Sequence, residues 1–216
     1  LLIMIFIFNY FDITSLQHAA ESCSFEVIDY LLSLQFTKIS SFCFSNFPIT
    51  SLVIPSSVNK IESDSFNGNK SLIQIIIKSS ITQIEDHTFT NCHSLKKVII
   101  ESPIKQILKG SFSYCESLNE IQLPLTLQSI DDCVFYECSS ITEINLPSSL
   151  KSIYNDVFFM CDSLIEVVIP SSVVKIGIRA FCQCTSLTKV GFLHPSSLYE
   201  IENSAFTISL NWFFIE

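Results

Sequence analysis

Charge is scarce in this chain, and so is glycine. Only 15% of its 216 residues are Asp, Glu, Lys or Arg, and it holds four Gly and one Trp. Four Gly leave no Gly-rich loop to cradle a phosphate, and no Gly-x-Ser-x-Gly elbow to present a nucleophilic serine. No cluster of Lys or Arg occurs, and the net charge is −9, so the chain repels a phosphate backbone. General nucleic-acid binding is excluded on that ground. Long apolar runs are missing as well. A membrane span needs about 20 apolar residues in a row. The longest candidate, Leu1 to Phe8, is interrupted by Asn9 and Asp12.

What is abundant is dispersed apolar character, 48% of the chain with 19 Phe. Dispersed apolar residues need an interior that repeats, so internal periodicity is sought first. Phe66, Phe89, Phe112, Phe135, Phe158 and Phe181 are spaced 23 residues apart; Phe44 precedes the series by 22 and Phe206 follows it by 25. Three residues past the Phe stands a second column: Cys92, Cys115, Cys138, Cys161 and Cys184, with Phe47, Asn69 and Ser209 in the flanking copies.

A third signature, Leu95-x-x-Val98-x-Ile100, recurs as Leu118/Ile121/Leu123, Ile141/Ile144/Leu146, Leu164/Val167/Ile169 and Leu187/Val190/Phe192. Earlier copies are Ile49/Leu52/Ile54 and Leu72/Ile75/Ile77. Pro55, Pro124, Pro147 and Pro170 often follow, then a pair such as Leu127/Ile130. The unit reads L-x-x-I-x-I-P-x-x-L-x-x-I-x-x-x-x-F-x-x-C-x-x.

The I-x-I alternation has the period of a strand with one buried face. Pro cannot donate to a ladder and ends the pairing. The second pair, such as Ile81-x-x-Ile84, fits a further short strand or an extended turn. The segment leading to Phe, such as Ser65-Phe66, is expected to form a helical or 3₁₀ turn. The fold class is therefore a β-rich solenoid: a parallel sheet on one face, short strands and helical turns on the other. Stacked coils about 4.8 Å apart would make a rod roughly 40 Å long, with the Phe residues piled inside it.

The expected organisation is three segments. Residues 1–24 are a degenerate repeat or a signal-peptide remnant, with His18-Ala19-Ala20 as a poor cleavage site. Residues 25–209 are the solenoid of about eight repeats, and 210–216 a partial terminal strand. No unit with a polar outer face, of the kind that normally closes a solenoid, is recognisable.

The unit resembles the BspA-like leucine-rich-repeat family. The stretches that carry the resemblance are Ile144-Asn145-Leu146-Pro147-Ser148-Ser149-Leu150-Lys151-Ser152-Ile153 and Arg179-Ala180-Phe181-Cys182-Gln183-Cys184-Thr185-Ser186-Leu187. The resemblance implies a leucine-rich-repeat solenoid of the α/β horseshoe class, and a surface or secreted protein that binds or adheres to other proteins. A cytoplasmic location is the alternative. It brings no catalytic residues and no cofactor.

The residues themselves offer little chemistry. Nine Cys is an odd number for a disulfide framework. Single Cys recurring every 23 residues lack the paired spacing of a metal site, so the column reads as buried small hydrophobes. Cys133 and Cys182, off the column, are expected to be exposed and oxidisable. Asp86-His87 and Cys92-His93 are adjacent pairs whose side chains point opposite ways in an extended segment. Glu85-Asp86, Asp131-Asp132 and Asn155-Asp156 lack the glycines of calcium solenoids and read as a solvated face. The Asn69-Lys70-Ser71 sequon puts Asn69 in the inward slot, where glycosylation is not expected. No catalytic, cofactor or metal residue is assigned, and the chain is not expected to be an enzyme.

Function is sought on the outward side of the strands. One column holds Ser51, Gln74, Lys97, Glu120, Glu143, Glu166 and Lys189. Three stacked Glu repel one another unless a basic partner arrives. The next holds Val53, Ile76, Ile99, Gln122, Asn145, Val168 and Gly191, and an exposed apolar column of Val53, Ile76 and Ile99, joined by Ile73, marks a contact surface. The expected protein-binding residues are thus Val53, Ile73, Ile76, Ile99, Glu120, Glu143 and Glu166. The alternative is a structural or truncated array with no specific partner.

Overall fold

The computed structural model describes residues 37–45, 47–207 and the backbone of 214–215. The segment 1–24, most of the first worn repeat and Ser209 lie outside the described residues. Among the described residues, sixteen short strands alternate between two walls. One wall holds the longer strands β2 (Ser51–Ile54), β4 (Gln74–Ile77), β6 (Lys97–Ile100), β8 (Glu120–Gln122), β10 (Glu143–Ile144), β12 (Glu166–Ile169), β14 (Lys189–Phe192) and β16 (Phe214–Ile215). The other holds the two-residue strands β1 (Lys38–Ile39), β3 (Lys60–Ile61), β5 (Gln83–Ile84), β7 (Gln106–Ile107), β9 (Ser129–Ile130), β11 (Ser152–Ile153), β13 (Lys175–Ile176) and β15 (Glu200–Ile201). All pairings are parallel, and partners sit one repeat apart, as in Gln74↔Lys97 and Ser129↔Ser152. Ile81-x-x-Ile84 thus ends in a strand of its own.

The alternation that suggested strands is the alternation of burial. In β2 and β12 the outward residue is exposed and the inward one buried at each step. Inside, the Phe rings stack in one file. Centroids lie 4.8 Å apart for Phe44–Phe66, 5.1 Å for Phe89–Phe112, 5.7 Å for Phe112–Phe135 and 5.3 Å for Phe135–Phe158. Each central ring is fully buried. Truncating Phe135 to alanine is expected to cost about 3–5 kcal/mol, because its neighbours on both sides are held by their own strands and cannot collapse into the void.

The turn around each Phe differs from expectation. No helix, α or 3₁₀, occurs among the described residues. Instead successive N–H groups point alternately inside the coil and forward to the next one. Thr88, Thr90 and Cys92 donate to Glu85, His87 and Phe89 three residues back, at 3.4, 3.2 and 3.3 Å. His87, Phe89 and Asn91 donate to Lys109, Ser111 and Ser113 of the following coil at 2.8–2.9 Å. A helix would direct every N–H along its own axis and leave the coils unjoined here.

The alternation needs two left-handed residues per coil, two before and two after the Phe. The first column is Phe42, Asp64, His87, Gly110, Cys133, Asp156, Arg179 and Ser204, and the second Gly68, Asn91, Tyr114, Glu137, Met160 and Gln183. Their φ values run from 52° to 75°. These two columns account for every positive-φ residue described. Gly110 is doubly constrained, since a Cβ there would also stand 2.6 Å from Nδ1 of His87.

The cysteine column lies inside, as expected, but it does more than fill space. Sγ of Cys92, Cys115, Cys138, Cys161 and Cys184 donates to the carbonyl of Phe66, Phe89, Phe112, Phe135 and Phe158 respectively, at 3.0–3.2 Å. Each thiol thus ties its coil to the one before. Burial pushes Cys92 and Cys184 up to about 12. It also raises Cys115, Cys138 and Cys161 well above the usual thiol value. The expectation for Cys182 was wrong: it is 5% exposed, and Cys133 is half-buried. Cys182 directly follows Phe181, in the position that Tyr136 and Phe159 hold in the two preceding coils. Burial also raises both thiols above their usual value.

Candidate functional site

The long-strand wall carries every residue singled out for binding. Val53, Ile76 and Ile99 are successive register partners on its outward side. Val53 and Ile73 are 43% and 42% exposed, while Ile76 and Ile99, flanked by neighbours on both sides, are half-buried. The apolar column is thus one continuous strip across β2, β4 and β6, and it ends at Gln122, the partner of Ile99.

The acidic column is not continuous. Glu120 is paired with Lys97 at 2.6 Å and Glu166 with Lys189 at 2.8 Å, so each has a lysine on the coil beside it. Glu143 and Glu166 are register partners. Glu120 and Glu143 are not, because the wall consists of two sheets, β2-β4-β6-β8 and β10-β12-β14-β16, with no rungs between β8 and β10. Among the described residues, Glu143 has no ion-pair partner.

The interruption has a cause in the sequence. One residue past each strand, Lys78, Glu101 and Leu193 donate their N–H to Ile54, Ile77 and Ile169 of the preceding coil at 2.9–3.0 Å. Where that slot is occupied by one of them, the strand pairs over four residues with the coil before it. Where it holds Pro124, Pro147 or Pro170 the closing rung has no donor. Pairing then shrinks to three residues for β6/β8, none for β8/β10 and two for β10/β12. The widest gap in the Phe file, Phe112–Phe135, falls between the repeat units of β6 and β8, where the pairing first shortens. Two clefts open along this wall. One of about 200 Å³ lies between Glu120 and Glu143, over Ile121 and Leu123. The other, of about 270 Å³, is lined by the polar Glu143, Asn145, Ser148 and Glu166 and by the apolar Leu146, Val168, Pro170 and Leu193. Glu143 and Asn145 border both.

Reading the sequence picked out Glu120, Glu143 and Glu166 but missed the apolar floor beside them. The run of Pro124, Pro147 and Pro170 in one slot was the available signal. No group of three or more His, Cys, Asp or Glu among the described residues is gathered in a way that could hold a metal. No helix among them is long and apolar enough to cross a membrane. Asn69 is fully buried, and its side-chain nitrogen is committed to the Phe44 carbonyl.

A stack of two-walled coils, parallel throughout, with a repeated apolar unit inside and a long-strand wall outside, defines a leucine-rich-repeat solenoid. The chain belongs to the BspA type leucine-rich-repeat family: the family's six-copy repeat region matches residues 9–119, 37–165 and 105–212 in overlapping frames. Among solved structures it is similar to a leucine-rich-repeat protein of T. pallidum, at 27% identity and a TM-score of 0.65, over 72% of this chain and 75% of that one. It is also similar to a leucine-rich cell surface protein of Faecalibacterium prausnitzii, at 27% identity and a TM-score of 0.63. There the match covers 72% of this chain but only 42% of the other. A leucine-rich-repeat protein of Eubacterium ventriosum shares the fold at 19% identity and a TM-score of 0.58, over 82% of this chain and 47% of that one. No curated protein sequence matches the chain significantly.

Proposed function

We propose that this chain is a protein-interaction module whose ligand lies on the long-strand wall. The family consists of repeat proteins that generally serve as protein-interaction modules, which supports the class of function; the observation that carries the location is the apolar strip. Val53, Ile76 and Ile99 stand in register on the outward side of three adjacent strands, with Ile73 beside them. Such a strip contributes nothing to the interior, and apolar residues grouped on a surface favour contact with a partner. Glu120, Glu143 and Glu166 continue the wall as its acidic part. The likeness to a cell surface protein supports adhesion at a surface as the setting.

The lysine partners of Glu120 and Glu166 favour a second reading for the acidic part alone, in which the charges balance within the sheet and serve the array rather than a ligand. Capture of partner proteins by the immobilised chain separates these readings. The Ile76→Asp/Ile99→Asp variant is expected to lose its captured partner, and equal capture by both forms would remove the apolar strip from the proposal. Capture that weakens with salt keeps the acidic residues in it, whereas salt-insensitive capture assigns them to the array.

A further inference from the structure

We propose that the notch from β8 to β12 seats a lysine- or arginine-bearing extended peptide segment, with its cation at Glu143 and its apolar parts on Leu146, Val168, Pro170 and Leu193. This rests on the reading of the long-strand wall as a binding face and names the chemistry of the partner there.

Three observations converge on the notch. First, it is built by the sequence: prolines at 124, 147 and 170 withhold consecutive rungs, the wall splits, and the clefts of about 200 and 270 Å³ open on either side of Glu143. Second, its charges are unequal. Glu120 and Glu166 each have a lysine from the adjacent coil, and Glu143, between them in sequence order, has none. Glu143 and Glu166 are also direct register partners, so their repulsion is relieved by any cation that reaches both. Third, the cleft offers aliphatic side chains beside its carboxylates, with Asn145 and Ser148 as its other polar lining. Val168 and Leu193 are exposed there, although Leu146 and Pro170 give them a floor to pack against.

A carboxylate beside exposed aliphatic side chains fits an amphipathic cation. Lysine and arginine lay their methylene stems along apolar surface while the charged head reaches a polar group. An extended segment alternates its side chains, so a basic residue at Glu143 brings an apolar residue two places on toward Val168 and Leu193. A free metal ion or a small anion would use none of the apolar lining, and an acidic or neutral apolar segment would leave Glu143 uncompensated. The overall charge of −9 favours the approach of a basic partner.

The test uses the full chain and a fluorescent, end-blocked pentapeptide, Ser-Lys-Ser-Leu-Ser, with Ser-Gln-Ser-Leu-Ser and Ser-Lys-Ser-Gly-Ser as comparators, read by anisotropy at low and physiological salt. The first peptide is expected to bind more tightly than either comparator. Glu143→Gln is expected to weaken it about fivefold, the scale of one exposed ion pair. Val168→Asn should weaken it too, while Ile76→Asp/Ile99→Asp leaves it unchanged. Equal binding of the glutamine peptide, or an unchanged Glu143→Gln variant, overturns the proposal. Loss of binding in Ile76→Asp/Ile99→Asp moves the peptide to the apolar strip and overturns it as well. If peptide binding fails while Ile76→Asp/Ile99→Asp still abolishes protein capture, the notch falls and the strip stands. The converse result removes the strip and keeps the notch.

Discussion

The side-chain amide of Asn69 donates to the carbonyl of Phe44 at 2.7 Å, one coil back, and so does in its coil what a thiol does in the five coils that follow. The same Asn69 accepts, through Oδ1, from the N–H groups of Ser71 and Leu72 at 3.0 and 2.9 Å. The substitution of Asn for Cys therefore conserves the tie between coils although it looks like a break in the pattern.

Removing that tie should be costly. Asn69→Leu fits the apolar slot by size but leaves a buried carbonyl and two N–H groups without partners. The expected loss is about 2–4 kcal/mol, from one to two unsatisfied buried groups net of relaxation. Urea unfolding of the variant checks it, and a midpoint equal to that of the native chain would mean the amide is incidental.

The thiol column predicts an alkaline weakness. Burial holds the Cys92 and Cys184 protons on up to about pH 12, against a usual value of 9.0. The unfolded chain releases them near the usual value, so deprotonation favours unfolding above it. The stabilising contribution is complete below pH 9 and is lost between pH 9 and about 12. Because Lys and Tyr titrate in the same range, the comparison is with Cys92→Ala/Cys184→Ala. Its unfolding midpoint, lower at pH 7, is expected to fall less steeply from pH 9 upward. Parallel curves would count against the burial of these thiols.

Left-handed backbone at a non-glycine residue is a standing strain. Glu137, at φ 56°, donates its backbone N–H to the Phe159 carbonyl at 2.8 Å, a bond that glycine would keep. A left-handed L-residue costs about 1–2 kcal/mol and glycine gives back about 0.5–1 of that in chain entropy. Glu137→Gly should then gain up to about 1 kcal/mol, whereas Glu137→Val, branched at Cβ, should lose stability. Thermal unfolding of both variants separates them, and a destabilised Glu137→Gly would contradict the two-column account of the turns.

Much of this architecture is legible in residue spacing, because Phe, the I-x-I pair and Cys each repeat one residue type at one offset. Their columns are apolar, and apolar columns must be stacked to leave water. The left-handed columns are not legible in that way. Asp64, His87, Gly110, Cys133, Asp156 and Arg179 share a backbone conformation but no side-chain chemistry. The turn was accordingly read as helical. The burial of Cys182 was hidden for a related reason: its slot holds Tyr136 and Phe159 in the two preceding coils, so no residue type recurs there. On the long-strand wall the spacing identified Val53, Ile73, Ile76 and Ile99 as outward and placed the three Glu in one file. It did not show the notch, which arises from hydrogen bonds that Pro124, Pro147 and Pro170 cannot make.

Those prolines give a further prediction. Pro147→Lys restores the donor that Lys78 supplies in its own coil, where the N–H bonds Ile54 at 2.9 Å. The new N–H is expected to reach the Leu123 carbonyl, join β8 to β10 and narrow the cleft between Glu120 and Glu143. Amide hydrogen exchange reads it as protection gained at residues 142–147. Unchanged exchange there would show that the proline is not what parts the sheets.

The account rests on coils stacked one strand spacing apart for each repeat. The short-strand wall is unbroken from β5 to β15, so nitroxide-bearing residues introduced genetically at Gln83 and Lys175 report on it directly. These positions lie four coils apart in one register file, Gln83↔Gln106, Gln106↔Ser129, Ser129↔Ser152 and Ser152↔Lys175. Pulsed electron–electron resonance should give one narrow distance distribution near ~20 Å, four spacings of about 4.8 Å. A broad distribution, or a mean beyond roughly 30 Å, would contradict the stack and everything built on its outer wall.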